Sequence, residues 1–269
     1  MGVWPNRGFL CIYIFSMTKR PEFLIYMILM IGCAGTTPNE KLSLSERLEL
    51  GLDYLDEEKY LQAQDEFNLV LIRATGTELG DDAQFFLGES YFLNKEYILA
   101  IAEYEKLTRK MGFSPFVEKA RFRICEAYRL DSPKYYHDQT YTEKALEKYQ
   151  EFVDDFPNSE NYDTALEAMV LLRDKLAKKL YETGILYLKM DEYEPARLSF
   201  QRVLDQFYDT DIVERTHLSI IRSYCLETNI EKARDYWTDL GGQIKTEELI
   251  AEAEILIENA AEKKAKSEK

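Results

Sequence analysis

The side chains able to serve as nucleophiles, bases or soft metal ligands are few: four cysteines and two histidines. Cys11, Cys33, Cys125 and Cys225 match no spacing used by zinc or redox sites. His137 and His217 have no Cys, Ser or carboxylate partner at a motif spacing, so each reads as a solvated or packed imidazole. No glycine-rich phosphate loop and no metal-ligand cluster occurs. The expectation is therefore no enzyme and no metal centre. Cys125 and Cys225 sit in apolar helical text and read as small buried thiols, with a disulfide as the alternative. Cys33 differs because of what precedes it. Residues 23–31 read Phe-Leu-Ile-Tyr-Met-Ile-Leu-Met-Ile, with Lys19 and Arg20 before them and Gly32-Cys33 after. That run falls short of the about 20 residues a membrane span needs. It has the length of a signal-peptide core.

The segment Met30-Ile31-Gly32-Cys33 resembles a lipobox, with Met30 where Leu is usual. In that motif the thiol takes a diacylglycerol, and cleavage before the Cys exposes an amine for a further acyl chain. Several chains on one residue anchor stably, where one alone binds marginally. The alternatives are a simple cleaved signal or an N-terminal membrane helix, with Cys33 inert. Met17-Thr18-Lys19-Arg20 makes Met17 the expected start, residues 1–32 a signal peptide and 33–43 a lipidated, flexible linker. Ala34 in place of an Asp implies sorting to the outer membrane, facing the periplasm. The expected additions are the diacylglycerol and acyl chain on Cys33, and no cofactor.

The net charge is −15 over 269 residues, and removal of residues 1–32 takes it to −17. Such a body is repelled by phosphate backbones and anionic lipid, so nucleic acid is not an expected partner. Hydrophobic residues make up 46 %, enough for a core, while 12 Gly and 7 Pro are few for a turn-rich β fold.

The elements are written in a repeat. A small residue is followed by Tyr three later, an aromatic nine later, Ala twelve later and an aromatic sixteen later. The copies are Gly51-Tyr54-Tyr60-Ala63-Phe67, Gly88-Tyr91-Tyr97-Ala100-Tyr104 and Gly184-Tyr187-Tyr193-Ala196-Phe200. A weaker one is Ile221-Tyr224-Ile230-Ala233-Trp237. Cys125, Tyr128, Ala145 and Tyr149 form another, its second half displaced by an insertion at residues 131–142. Each copy predicts two helices joined by a polar turn, a unit that must stack on its neighbours to bury its apolar face. Residues 162–179 lengthen the helix entering the fourth copy, and 247–269 read as a capping helix with a charged tail. The pattern resembles the tetratricopeptide repeat. The expected fold is an all-α, superhelical solenoid of about five helix pairs. Repeats one to three occupy 44–160 and repeats four and five occupy 161–246.

Five repeats behind a lipobox resemble the BamD (ComL) family. The match rests on Ala145-Leu146-Glu147-Lys148-Tyr149-Gln150-Glu151-Phe152 running into Phe156-Pro157-Asn158-Ser159, on the preceding Asp138-Gln139-Thr140, and on Leu171-Leu172-Arg173-Asp174-Lys175-Leu176-Ala177. This chain departs from the pattern at the fourth closing turn, Gln206-Phe207-Tyr208-Asp209-Thr210, which lacks Pro. The resemblance implies a periplasmic scaffold of the outer-membrane β-barrel assembly machine. Its implied partners are a BamA-like barrel protein, other lipoproteins of the complex and unfolded β-barrel substrates. The alternative is a periplasmic repeat lipoprotein serving cell-wall synthesis or division.

The expected binding surface is the groove lined by the first helices. Positions three before, one after and four after each small residue are expected to face it: Leu48, Leu52 and Leu55; Phe85, Glu89 and Phe92; Phe122, Glu126 and Arg129. An apolar, aromatic groove suits an extended peptide. The alternative is that these side chains pack against each other or against the terminal segment.

Overall fold

The computed structural model describes residues 42–240 and 242–267. Among them are eleven helices and no strand. They are α1 (Leu44–Asp56), α2 (Tyr60–Ala74), α3 (Glu78–Leu93), α4 (Tyr97–Lys110), α5 (Val117–Asp131), α6 (Thr140–Asp155), α7 (Tyr162–Lys189), α8 (Tyr193–Gln206), α9 (Val213–Leu226), α10 (Ile230–Asp239) and α11 (Glu247–Ser267). From α1 to α8 each packs on the next, as a stacked array requires, and α11 covers α9 and α10 at the end.

The small residue of the repeat is needed for close approach. A Cβ on Gly51 would lie 2.6 Å from the Phe67 ring, and one on Gly88 would lie 2.5 Å from Tyr104. Gly184 stands in the same relation to Phe200. The second helix of each pair thus seats its aromatic ring directly on the backbone of the first. Phe67, Tyr104 and Phe200 are fully buried there. In the fifth pair Ile221 carries a side chain at that point, and Trp237 is only half-buried at the edge of its cluster.

The turns inside the pairs share one geometry. Glu58, Lys95, Asp191 and Thr228 lie seven residues after the small position, and all have positive φ, between 58° and 63°. The following N–H reaches back five residues in each: Lys59 to Tyr54 O, Glu96 to Tyr91 O, Glu192 to Tyr187 O and Asn229 to Tyr224 O. This is the Schellman closure of a helix end, made four times without glycine. The fourth closing turn keeps its shape without Pro, because Thr210 caps it through Phe207 O with both N–H and hydroxyl.

Helix α7 is one unbroken helix of 28 residues, about 42 Å long. Its first half packs Ala165, Ala168 and Leu172 with α6, and its second half packs Gly184 and Leu188 with α8. It thereby joins the first three repeats to the last two. The insertion is compact: Ser132–Gln139 form a loop pinned onto α7. Lys175 Nζ donates to Ser132 Oγ at 2.8 Å, Lys179 Nζ donates to His137 O, and Lys178 lies over the Tyr135 ring at 4.6 Å.

Candidate functional site

Gly88 fixes more than packing. Because Tyr104 lies against α3 at Gly88, its hydroxyl reaches the next residue and donates to Glu89 Oε1 at 2.6 Å. Glu89 also receives Arg123 of α5, Nε at 2.8 Å and Nη2 at 3.0 Å, a bidentate pair. Arg123 Nη1 then donates to Glu126 at 2.7 Å. Arg129 approaches Glu126 at 3.8 Å and donates from Nε to the Tyr149 hydroxyl at 3.2 Å. The Arg123 guanidinium covers the Phe92 ring at 4.8 Å. One network therefore crosses α4, α3, α5 and α6 and ties repeat two to repeat three.

Its charges are compensated in place. Burial, then the Glu89 carboxylate, pushes the Tyr104 hydroxyl far above its ordinary range. Burial opposes the charge on Arg123, but its bonds to Glu89 and Glu126 more than offset this and raise its pKa. Burial also raises Tyr149, against the pull of Arg129. The arrangement is a rigid, charge-balanced floor, with Phe92, Glu126 and Arg129 left half-exposed for contact.

The nine expected groove residues divide. Leu52, Leu55, Phe92, Glu126 and Arg129 are half-buried. Leu48, Phe85 and Phe122 are core residues, which corrects their placement on the groove wall. Leu48 joins the cluster around Phe67 and Leu87. Phe85 has no exposed surface and stacks on Phe116 at 4.5 Å. Phe122 packs on Phe152 at 5.3 Å. The cause is helical geometry: residues three apart share a face, so the residue three before the small position faces the covering helix as the small residue does. Glu89 is likewise buried, at 7 % exposure, within the network.

Arg123 escaped the reading of the sequence, since its bidentate partner Glu89 comes from another repeat. A second set of ties did leave a signal. Arg47–Glu66 at 2.8 Å, Gln84–Glu103 at 2.8 Å and His217–Tyr236 at 2.8 Å all span nineteen residues, from four before the small position to fifteen after. His217 is thus the fifth-repeat member of a structural pair, buried at 6 % exposure, with its pKa lowered by burial. His137 is exposed on the insertion loop and packs on Tyr136.

Cys125 and Cys225 are free thiols. Cys125 is buried and pushed up to about 12 by burial, whereas Cys225 is only half-buried, short of the core position expected for it. Cys33 and the lipobox lie outside the described residues, as does Cys11. Among the described residues no helix is long and apolar enough to cross a membrane. No group of three or more His, Cys, Asp or Glu in that part is placed to hold a metal ion.

Comparison with known proteins matches residues 42–238 to the family model YfiO, described as outer membrane lipoprotein. The outer membrane protein assembly factor BamD of Rickettsia prowazekii is 25 % identical over 236 residues, covering 84 % of this chain and 91 % of that protein. BamD of Caulobacter vibrioides is 25 % identical over 214 residues, covering 76 % and 70 %. Solved structures of MamA protein and of apo RapI align over 83 % and 91 % of this chain and 94 % and 69 % of theirs. Their identities are 16 % and 15 % and their TM-scores 0.34 and 0.33. The family match runs from ahead of α1 to within a residue of the end of α10, through every helix pair and the network between repeats two and three, so this chain belongs to the YfiO family of outer membrane lipoproteins.

Proposed function

We propose that this chain is a lipid-anchored scaffold that serves the assembly of β-barrel proteins in the outer membrane. It acts by binding, not by catalysis. Acylated Cys33 holds it to the periplasmic face of the outer membrane. It docks on a BamA-like barrel protein, sits beside other lipoproteins of the complex and helps recruit unfolded β-barrel substrates. The observation that carries this reading is the family match over the whole repeat array, together with two relatives named as assembly factors.

Leu52, Leu55, Phe92, Glu126 and Arg129 form the surface for an extended substrate segment in this reading. Half-exposed apolar and aromatic side chains beside compensated charges suit an aromatic-rich strand. Leu48, Phe85, Glu89 and Phe122 hold that surface in shape from behind. The stretch from Tyr162 to Trp237 is assigned to the barrel partner by family analogy.

The test is depletion of the chain in cells, scored by folded barrels that resist detergent until heated. The reading expects folded barrels to fall, with rescue by the wild-type chain and poor rescue by Cys33→Ser. Unchanged folded barrels after depletion would overturn it.

A further inference from the structure

Helix α1 opens beside the end of α2, where Leu44 joins the cluster of Val70 and Ala74 with Leu71 and Leu79. The end of α4 comes to the same edge. A Cβ on Gly80 would lie 2.0 Å from Ala74 O, so the last turn of α2 abuts the first turn of α3. One turn further along α3, Gln84 donates to Glu103 Oε2 of α4 at 2.8 Å. Helix α4 runs back along α3, so its last turn and the residues after it return to the start of α3.

This edge exposes apolar side chains in company with free cations. Ile72 is 76 % exposed and Phe113 fully exposed. Arg73 follows Ile72, and Lys110 stands three residues before Phe113. Neither cation forms an ion pair among the described residues, whereas Lys106 and Arg109 are held by Glu103 and Glu105. Glu78, Asp81 and Asp82 open α3 between the two ends, and the Asp82 carboxyl is pushed up by burial and then by Glu78 and Asp81. The edge therefore has no strong positive field, and its contacts are made by the side chains that project. The same positions change character along the array. The last turns of α2 and α4 are basic, while those of α6 and α8 carry no basic residue. Helix α6 ends in Asp154-Asp155, and the exposed Tyr208 after α8 has Asp205, Asp209 and Asp211 around it.

We propose that this edge of repeats one and two rests on the surface of the anchoring bilayer, with Ile72 and Phe113 at the acyl boundary and Arg73 and Lys110 at the phosphates. The proposal rests on reading Cys33 as the acylated anchor. Leu44 is eleven residues after Cys33, a stretch that spans at most about 40 Å, and α1 opens on this edge. An apolar side chain with a long cation beside it suits the bilayer interface, where the ring or branch enters and the cation stays among the headgroups. The net charge of −15 keeps the acidic outer ends of repeats three and four off an anionic leaflet. The edge thus orients a chain that is already tethered and does not recruit one from solution.

The test uses the acylated full chain in vesicles of phosphatidylethanolamine with phosphatidylglycerol as the minor lipid, their acyl chains brominated to quench tryptophan. Phe113→Trp and Tyr208→Trp are each made in a Trp237→Phe background, and quenching is counted relative to that background. Both positions are exposed, so neither change disturbs the core. Phe113→Trp is expected to lose at least half of its added emission in brominated vesicles, and Tyr208→Trp almost none. Arg73→Gln with Lys110→Gln is expected to reduce the quenching of Phe113→Trp at least twofold. Unquenched emission from Phe113→Trp, equal quenching of the two tryptophan variants, or undiminished quenching without the two cations would each overturn the contact. The anchor reading fails separately, when the chain does not float with the vesicles, and takes this contact with it.

Discussion

Substituting Gly88 by Ala isolates the close approach on which the array depends. A Cβ there would meet Tyr104 Cε1 at 2.5 Å, Cδ1 at 2.7 Å and Cζ at 3.0 Å. Relief requires the ring to retreat by about 1 Å to reach ordinary contact. Tyr104 is fully buried and its hydroxyl is held at 2.6 Å by Glu89, so retreat also weakens a bond to a charged acceptor. Overpacking of this kind costs about 1–3 kcal/mol. Alanine recovers about 1 kcal/mol in helix propensity relative to glycine. Adding the partial loss of a charge-assisted bond, itself about 1.5–3 kcal/mol when whole, the net loss expected is about 1–3 kcal/mol. The assay is urea unfolding followed by circular dichroism at 222 nm, in the wild-type and Tyr104→Leu backgrounds. In the second background the ring is gone and Gly88→Ala is expected to be neutral or mildly stabilising. A loss of equal size in both backgrounds, or a gain in the first, would refute the reasoning.

Further predictions concern the network and the turns. Arg123→Met leaves Glu89 buried without its cationic partner, with only the Tyr104 hydroxyl still donating, and is expected to destabilise by about 2–3 kcal/mol, discounted for the partial exposure of the pair. Adding Glu89→Gln should recover part of that loss, as double-cycle denaturation would show. Thr228→Gly removes a β-branched residue from φ 60° and should raise the unfolding free energy by about 1 kcal/mol, and the midpoint with it. A lower midpoint would contradict the strain assigned to that turn. Burial holds the His217 pKa below its ordinary 6.5. The unfolded chain therefore takes up a proton that the folded chain refuses as pH falls below that value, and stability drops with it. His217→Gln should lose less stability than wild type between about pH 7.5 and about pH 5.5. Equal losses would assign the pH response to the carboxylates alone.

Much of the fold could be read from the text because its rule is local. A small residue, its aromatic sixteen residues on and a polar turn between them specify a helix pair, and three Gly–ring contacts realise it. Helix α7 followed from the apolar pattern of residues 162–179 running into Gly184 without a turn residue. The groove was less legible. Phe85 and Phe122 look like exposed anchors by offset alone, yet they share a face with Gly88 and Cys125 and are roofed over. The Glu89–Arg123 pair links residues 34 apart on different repeats, and only the stacking angle brings them together. The nineteen-residue ties were present in the sequence at constant spacing, but their residue types differ: Arg–Glu, Gln–Glu and His–Tyr. A search for identical residues passes over such pairs. The insertion loop is held by backbone carbonyls accepting from lysines, and no side-chain pattern announces that.

The measurement closest to the central claim is affinity purification of the tagged chain from detergent-solubilised outer membrane, with the co-purifying proteins identified by mass spectrometry. The account predicts a large β-barrel protein with periplasmic repeat domains at near-stoichiometric amount. Recovery of cell-wall or division proteins alone, with no such barrel, would contradict it.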